Sequence, residues 1–174
     1  MPFAERGRIT DEVVDAVRAA FASEYSSFSG RYFAYGEVGQ SPRPVQQPLP
    51  IWIGGSGAPA LRRVAERGDG WIPQGTPRAQ MQACVDTIRR RRDEVRPGEP
   101  LDLGFMPEYV YVGEPSWELG PHKLTGSPER IAESLADARR FGCNVLHLHF
   151  RSRDRAELVD QIERFGAEVA PLLR

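Results

Sequence analysis

The spacing of apolar residues changes along the chain, and each change predicts an element. Val13, Val14, Val17, Ala20 and Phe21 recur at helical intervals and predict a helix over residues 11–23 with these side chains on one face. Thr10 stands where an N-cap oxygen is wanted, and Asp11 and Glu12 suit the positive end of the helix dipole. Ile9 and Val14 occupy the two positions of a hydrophobic staple. Residues 28–35 read as a short hairpin or extended arm that turns at Gly30. Pro42, Pro44, Pro48 and Pro50 donate no backbone hydrogen bond and predict an extended, stiff connection over residues 41–50 within one domain, residues 1–174.

From Ile51 onward short apolar runs alternate with helical patterns. Ile51-Trp52-Ile53 predicts a strand, residues 54–57 a tight loop, and residues 58–67 a helix ending at Gly68, a residue suited to the left-handed position after a helix. Gly70-Trp71-Ile72-Pro73 predicts a second strand and residues 77–95 a long helix. Residues 101–112 form a third strand region, residues 113–126 read as irregular, and Ser127 caps a helix that runs to Phe141 and stops at Gly142. Residues 144–150 predict a fourth strand. The last helix, capped by Asp154, carries Leu158, Ile162, Phe165 and Val169 at core spacing. This alternation predicts an α/β fold with a parallel sheet. Strands this short suit a β/α barrel, and four βα units are half of the eight that close one.

Composition narrows the function classes. The 174 residues are 40% hydrophobic and 27% charged, the balance of a soluble domain. No apolar run reaches the roughly 18 residues of a membrane span. The Met-Pro-Phe-Ala-Glu-Arg start lacks the apolar core of a secretory signal, so a cytoplasmic location is expected. With 23 basic and 24 acidic residues the net charge is −1, which gives no pull toward nucleic acid. The arginine run at residues 89–92 points around a helix and reads as solvated surface. Cys84 lies in a helical pattern and Cys143 beside a strand; both read as small buried hydrophobes.

The candidate chemistry sits at strand ends. Gly54, Gly55, Ser56 and Gly57 form a glycine-rich turn between a strand and a helix, where backbone N–H groups and a hydroxyl can cradle a phosphate. A tight βα turn without a ligand accounts for the same spacing equally well. His147 and His149 are two apart on a strand and share a face, while Leu146, Leu148 and Phe150 take the other. They read as histidines lining a barrel lumen, near a substrate. No metal is expected, because no Cys or carboxylate stands at ligand spacing. Arg151 and Arg153 follow at the strand's C-terminal end, as contacts for a phosphate or acidic substrate or as exposed solubilising groups.

Several runs together carry a resemblance. They are Pro50-Ile51-Trp52-Ile53-Gly54-Gly55-Ser56-Gly57, Ala60-Leu61-Arg62-Arg63 and Gly68-Asp69-Gly70-Trp71-Ile72-Pro73, with Glu5-Arg6-Gly7-Arg8 and Gly30-Arg31-Tyr32-Phe33 before them. The Pro-Val-Gln stretch at 44–46 and Gly126-Ser127-Pro128-Glu129 complete the set. In this order the chain resembles the bacterial luciferase-like monooxygenases. The resemblance implies a TIM (β/α)8 barrel, a reduced FMN or coenzyme F-420 cofactor, and a monooxygenase or hydride-transferring oxidoreductase. It covers the family's C-terminal half, so the expected architecture is half a barrel with a hairpin or arm. It places the cofactor's phosphate on Gly54, Gly55, Ser56 and Gly57, with Gly75 and Thr76 after the next strand. It assigns no catalytic acid or base. The expected partner is a small-molecule substrate, with a second copy of the chain or a complementary half-barrel to cover the strands carrying Ile51, Trp71 and Val145. The alternative is a non-catalytic half-barrel that binds flavin or serves assembly.

Overall fold

The first helix begins earlier than its capping pattern predicts. In a computed structural model, which describes residues 3–173, a short 3-10 turn leads into α1, Arg6–Ala22. Of the N-terminal hexapeptide read above, Met1 and Pro2 lie outside the described residues. Thr10 lies inside α1 and donates its hydroxyl to the Arg6 carbonyl at 2.8 Å, so it is not a cap. Ile9, Val14 and Ala16 face inward, whereas Val13 and Val17 stay exposed, which rotates the buried face away from the predicted one. The two acids have tertiary partners in place of a dipole role. Asp11 accepts from Arg62 at 2.7 Å and Arg63 at 2.5 Å. Glu12 accepts the amides of Arg31, Tyr32 and Phe33 at 3.0, 2.7 and 2.8 Å.

Those three amides belong to the turn of a hairpin, β1 (Tyr25–Ser29) against β2 (Ala34–Gly39), antiparallel from Tyr25↔Gly39 to Ser29↔Ala34. Gly30 is needed there for space, because a Cβ would lie 2.2 Å from the Glu12 carboxylate. The proline-rich stretch that follows runs through bends, with cis Ser41–Pro42 and Gln47–Pro48 bonds, and is not one extended segment.

The chain divides into two compact units, Met1–Asp102 and Leu103–Arg174. In the first, β3 (Trp52–Gly54) and β4 (Gly70–Ile72) pair in parallel through α2 (Ala58–Arg67), and α3 (Met81–Val95) follows a 3-10 turn. Gly68 ends α2 in an extended conformation, φ −81°, and not in the left-handed region. Its amide donates back to the Arg63 and Val64 carbonyls at 3.1 and 3.0 Å. The arginine run at 89–92 is not all solvated. Four consecutive helical residues span the whole circumference, so one must face inward. Arg92 does so, is 4% exposed, and donates to the carbonyls of Ala65 at 3.2 Å, Gly68 at 2.7 Å and Pro100 at 2.9 Å.

In the second unit the third strand region is interrupted at residues 106–108, giving β5 (Asp102–Phe105) and β6 (Tyr109–Val112). The segment expected to be irregular contains β7 (Lys123–Gly126), which pairs in parallel with β6 over Tyr109↔Lys123 to Val112↔Gly126. The Ser127 hydroxyl caps α4 (Pro128–Leu135) by accepting from the Arg130 amide, and the predicted single helix breaks before α5 (Asp137–Arg140). The fourth strand is short, β8 (Val145–Leu146), parallel to β5. Its ladder continues through residues 147–151: the His147 amide bonds the Phe105 carbonyl, the Val110 amide the His149 carbonyl, and the Arg151 amide the Val110 carbonyl.

Asp154 caps α6 (Arg155–Arg164) by accepting the Glu157 amide at 2.9 Å, and the helix passes into a π-helical turn, Phe165–Val169. Phe165 and Val169 join Val110, Val112, Leu124, Ile131 and Leu135 in the core. Ile162 is instead 50% exposed, and Gln161 takes the inward position one turn before Phe165. Its amide group bonds both Val112 backbone groups: Oε1 accepts from the N–H at 2.5 Å and Nε2 donates to the carbonyl at 3.4 Å. Cys84 and Cys143 are buried and unbridged, as expected. Among the described residues no helix is long and apolar enough to cross a membrane.

Two predictions follow from these partners. Arg92→Leu takes the Arg92 donors from the Ala65, Gly68 and Pro100 carbonyls and leaves the buried Ala65 carbonyl without a side-chain donor, while Gly68 keeps Arg96, so urea unfolding should show a loss of about 2–3 kcal/mol. Glu157 accepts from the Arg153 side chain and amide, from Trp117 at 3.0 Å and from Tyr111 at 3.1 Å. Arg153 foremost among them lowers its carboxyl from 4.5 to about 2. The charged form is therefore favoured in the native state, and its contribution is complete above the unfolded value and lost as pH falls toward 2. Glu157→Gln should melt below wild type at pH 7 and converge with it in acid, as read by thermal unfolding across pH.

Candidate functional site: the loops after β3 and β4

The turn after β3 remains open. Gly54 and Gly57 are exposed, Gly55 and Ser56 half-buried. Gly55 sits at φ +99°, which side chains with a Cβ rarely adopt, and an added Cβ would also come within 3.4 Å of Ala60. Two bonds fix it from below: its amide donates to the Ile72 carbonyl at 3.2 Å, and the buried Trp71 indole donates to its carbonyl at 2.7 Å. Trp71 is 0% exposed within one chain, so its side chain is already covered there. Gly57 precedes α2 in extended conformation and gives the helix no side-chain cap, while its carbonyl takes the amides of Ala60 and Leu61. Among the described residues no hydrogen bond engages the amides of Ser56 and Gly57.

The loop after β4 adjoins this turn. The Ser56 and Thr76 hydroxyls are hydrogen-bonded to each other. Gly75 lies at φ +66° with open space where a Cβ would stand. The structure thus brings Gly54, Gly55, Ser56 and Gly57 together with Gly75 and Thr76. Sequence reasoning missed Gln74, whose exposed side chain comes within 3.5 Å of a Cβ placed on Gly54. A lone glutamine after Pro73 carries no motif that would have marked it. The fit to a phosphate group is direct: free amides, two hydroxyls and a glycine that leaves room for a close approach.

In the second unit His147, Arg151 and Tyr109 are half-buried or at the rim, and His149 is exposed. The two histidine Nε2 atoms are 3.2 Å apart. Arg153 is taken up by Glu157. Among the described residues no three His, Cys, Asp or Glu side chains group to hold a metal ion.

The family model of luciferase-like monooxygenases matches residues 1–119. The chain belongs to the luciferase-like monooxygenase family. An uncharacterized protein of Mycobacterium tuberculosis is 33% identical over 103 residues, 59% of this chain and 35% of that protein. The FMNH(2)-dependent dimethylsulfone monooxygenase of Pseudomonas putida is 28% identical over an alignment of 219 positions, covering 98% of this chain and 59% of that enzyme. The chain therefore spans between a third and six-tenths of the length of these curated relatives. Among solved structures, an F-420-dependent secondary alcohol dehydrogenase in complex with an F-420–acetone adduct superposes with a TM-score of 0.77 at 15% identity, over 100% of this chain and 64% of that one. This luciferase-like chain accordingly has the α/β fold of that group of barrel enzymes.

Proposed function

We propose that this chain holds the phosphate end of reduced FMN or coenzyme F-420 on the loops after β3 and β4, forming one side of a luciferase-like oxidoreductase site. The carrying observation is the open Gly55–Ser56 turn, with amides free of protein acceptors beside the paired hydroxyls of Ser56 and Thr76. A phosphate accepts from the amides of Ser56 and Gly57 and from the two hydroxyls, which then turn outward. The start of α2 adds the positive end of its dipole. Family membership and relatives that use FMN or F-420 support the cofactor class. When bound, the reduced cofactor supplies the electron pair for a small-molecule substrate. The chain's own residues anchor and orient it, and none of them is assigned as a catalytic acid or base.

The same reading takes the chain as the C-terminal half of a (β/α)8 barrel in the cytoplasm. β3 has a strand neighbour on one side only, among the described residues. Its other edge leaves N–H and C=O groups for a strand from a second copy or from a chain carrying the other half of a barrel. Cys84 and Cys143, buried and not joined in a disulfide, accord with a reducing compartment.

Gly55→Val fills the approach to the phosphate and strains the turn. FMN and F-420 titrated into the purified chain and followed by fluorescence should bind, and the variant should bind at least about tenfold more weakly, roughly 1.4 kcal/mol. Equal affinity in the two proteins would overturn the phosphate assignment. For the assembly, light scattering over a dilution series should give a mass above that of one chain at high concentration. A monomer at every concentration would remove the pairing argument.

A further inference from the structure

A second set of polar groups in the second unit is not used by the cofactor reading. The ladder through residues 147–151 is extended, so His147, His149 and Arg151 share one face. Leu146, Leu148 and Phe150, on the opposite face, pack against the core of that unit. The polar face is therefore held in place by the apolar one. Tyr109 stands beside it, with its ring 5.7 Å from that of His149 and 3.8 Å from the guanidinium carbon of Arg151.

The two arginines at this strand end have opposite fates. Arg153 spends its donors on Glu157. Arg151 has no carboxylate partner among the described residues; its guanidinium lies over the Tyr109 ring, and its Nε is buried with no acceptor. His147 adds a second orphan, a buried Nδ1 without a partner, and its Nε2 meets the Nε2 of His149 at 3.2 Å. A native structure seldom buries polar nitrogens without partners, and a guanidinium without a counter-ion is a donor fork that awaits one. No acidic side chain is paired with Arg151, Tyr109, His147 or His149 among the described residues. The unmet demand of this cluster is for an acceptor with negative charge.

We propose that Arg151, His147 and His149, on the platform of Tyr109, form a binding site for an oxyanion group of a small ligand: a carboxylate, sulfonate or phosphate. The planar guanidinium takes two oxygens side by side, and the contact with the Tyr109 ring, 3.8 Å away, holds the fork in place before the ligand arrives. With one Nε2 donating to the other, the neutral ring that accepts carries its hydrogen on Nδ1, and that N–H is the one it presents to the same anion. The proposal stands apart from the cofactor reading, since no residue of the β3 and β4 loops takes part.

The test is a titration of the full chain, labelled in histidine and arginine, with inorganic phosphate, acetate and methanesulfonate in turn, followed by NMR. At least one anion should shift the His147 and His149 ring signals and the Arg151 Nε–H signal to saturation, and which one does so names the group recognised. Arg151→Met should weaken that binding by at least about tenfold. Arg140→Met removes the same charge from an exposed place in the same unit and should leave it within about twofold. Arg151→Lys keeps the charge, loses the fork and decides the matter if the methionine variant does not fold; it should also bind more weakly. Gly55→Val should leave the histidine response intact, which separates this site from the cofactor loops. The proposal is overturned if Arg151→Met, or Arg151→Lys where that variant decides, binds as wild type. It is also overturned if sodium chloride at matched ionic strength gives the same shifts, or if zinc chloride saturates the histidines and no oxyanion does.

Discussion

The turn between α2 and β4 is the constraint on which the first unit depends. Gly68 and Asp69 occupy it, and almost every neighbouring element bonds to one of them. The Gly68 carbonyl takes Arg92 at 2.7 Å and Arg96 at 3.0 Å, both from α3 or its end. The Asp69 carboxylate takes the Ile51 amide at 2.9 Å, ahead of β3, and Arg18 of α1 at 2.8 Å. Burial alone would raise the Asp69 carboxyl; the Ile51 amide and then Arg18 outweigh it and hold the group below its usual range. A short strand pair of three residues each has little ladder of its own. Its register is set by these side chains reaching backbone groups at its entry, and the loops after β3 and β4 inherit their positions from it.

That inheritance explains why the candidate phosphate loop is made of small residues without strong side-chain donors. The donors are backbone amides, so what matters is where the chain goes, and Trp71 below and Gly55 above fix that path. A lysine or arginine would bring charge but also rotamer freedom. Amides positioned by a buried indole bring neither a counter-charge to neutralise nor side-chain entropy to lose.

Much of the architecture was legible in the sequence where local chemistry decides it. Ser127 before Pro128, and Asp154 before α6, cap as their residue types predict, and α2 spans the predicted residues. Two of the differences share a cause, namely side chains claimed by distant partners. Thr10, Asp11 and Glu12 look like a helix start, but Asp11 serves Arg63 and Glu12 serves a hairpin turn about twenty residues on. Ile162 looks like core, but the Val112 N–H takes the Gln161 side chain as its acceptor and so draws Gln161 to the inward place. Within the candidate site the glycine turn was visible because glycine marks backbone geometry. The bond between Ser56 and Thr76 was not, because nothing local to either loop records the other.

Arginine makes the same point about charge. In a chain with a single lysine, Lys123, a basic residue says little until its donors are accounted for. Arg63 is engaged by Asp11 and the Gly7 carbonyl, Arg92 by three carbonyls, Arg153 by Glu157 and Arg164 by Glu168 and the Val112 carbonyl. Each of these guanidiniums ties one backbone or helix to another, which a flexible ammonium does poorly. Structural use therefore accounts for these arginines without any ligand. Against that background Arg151 departs from the pattern: it is half-buried, its guanidinium carbon lies 3.8 Å from the centre of the Tyr109 ring, and its buried Nε has no acceptor among the described residues. Arg92 also keeps a buried Nε without an acceptor, but its other nitrogens reach three carbonyls, whereas no guanidinium nitrogen of Arg151 meets an acceptor among the described residues.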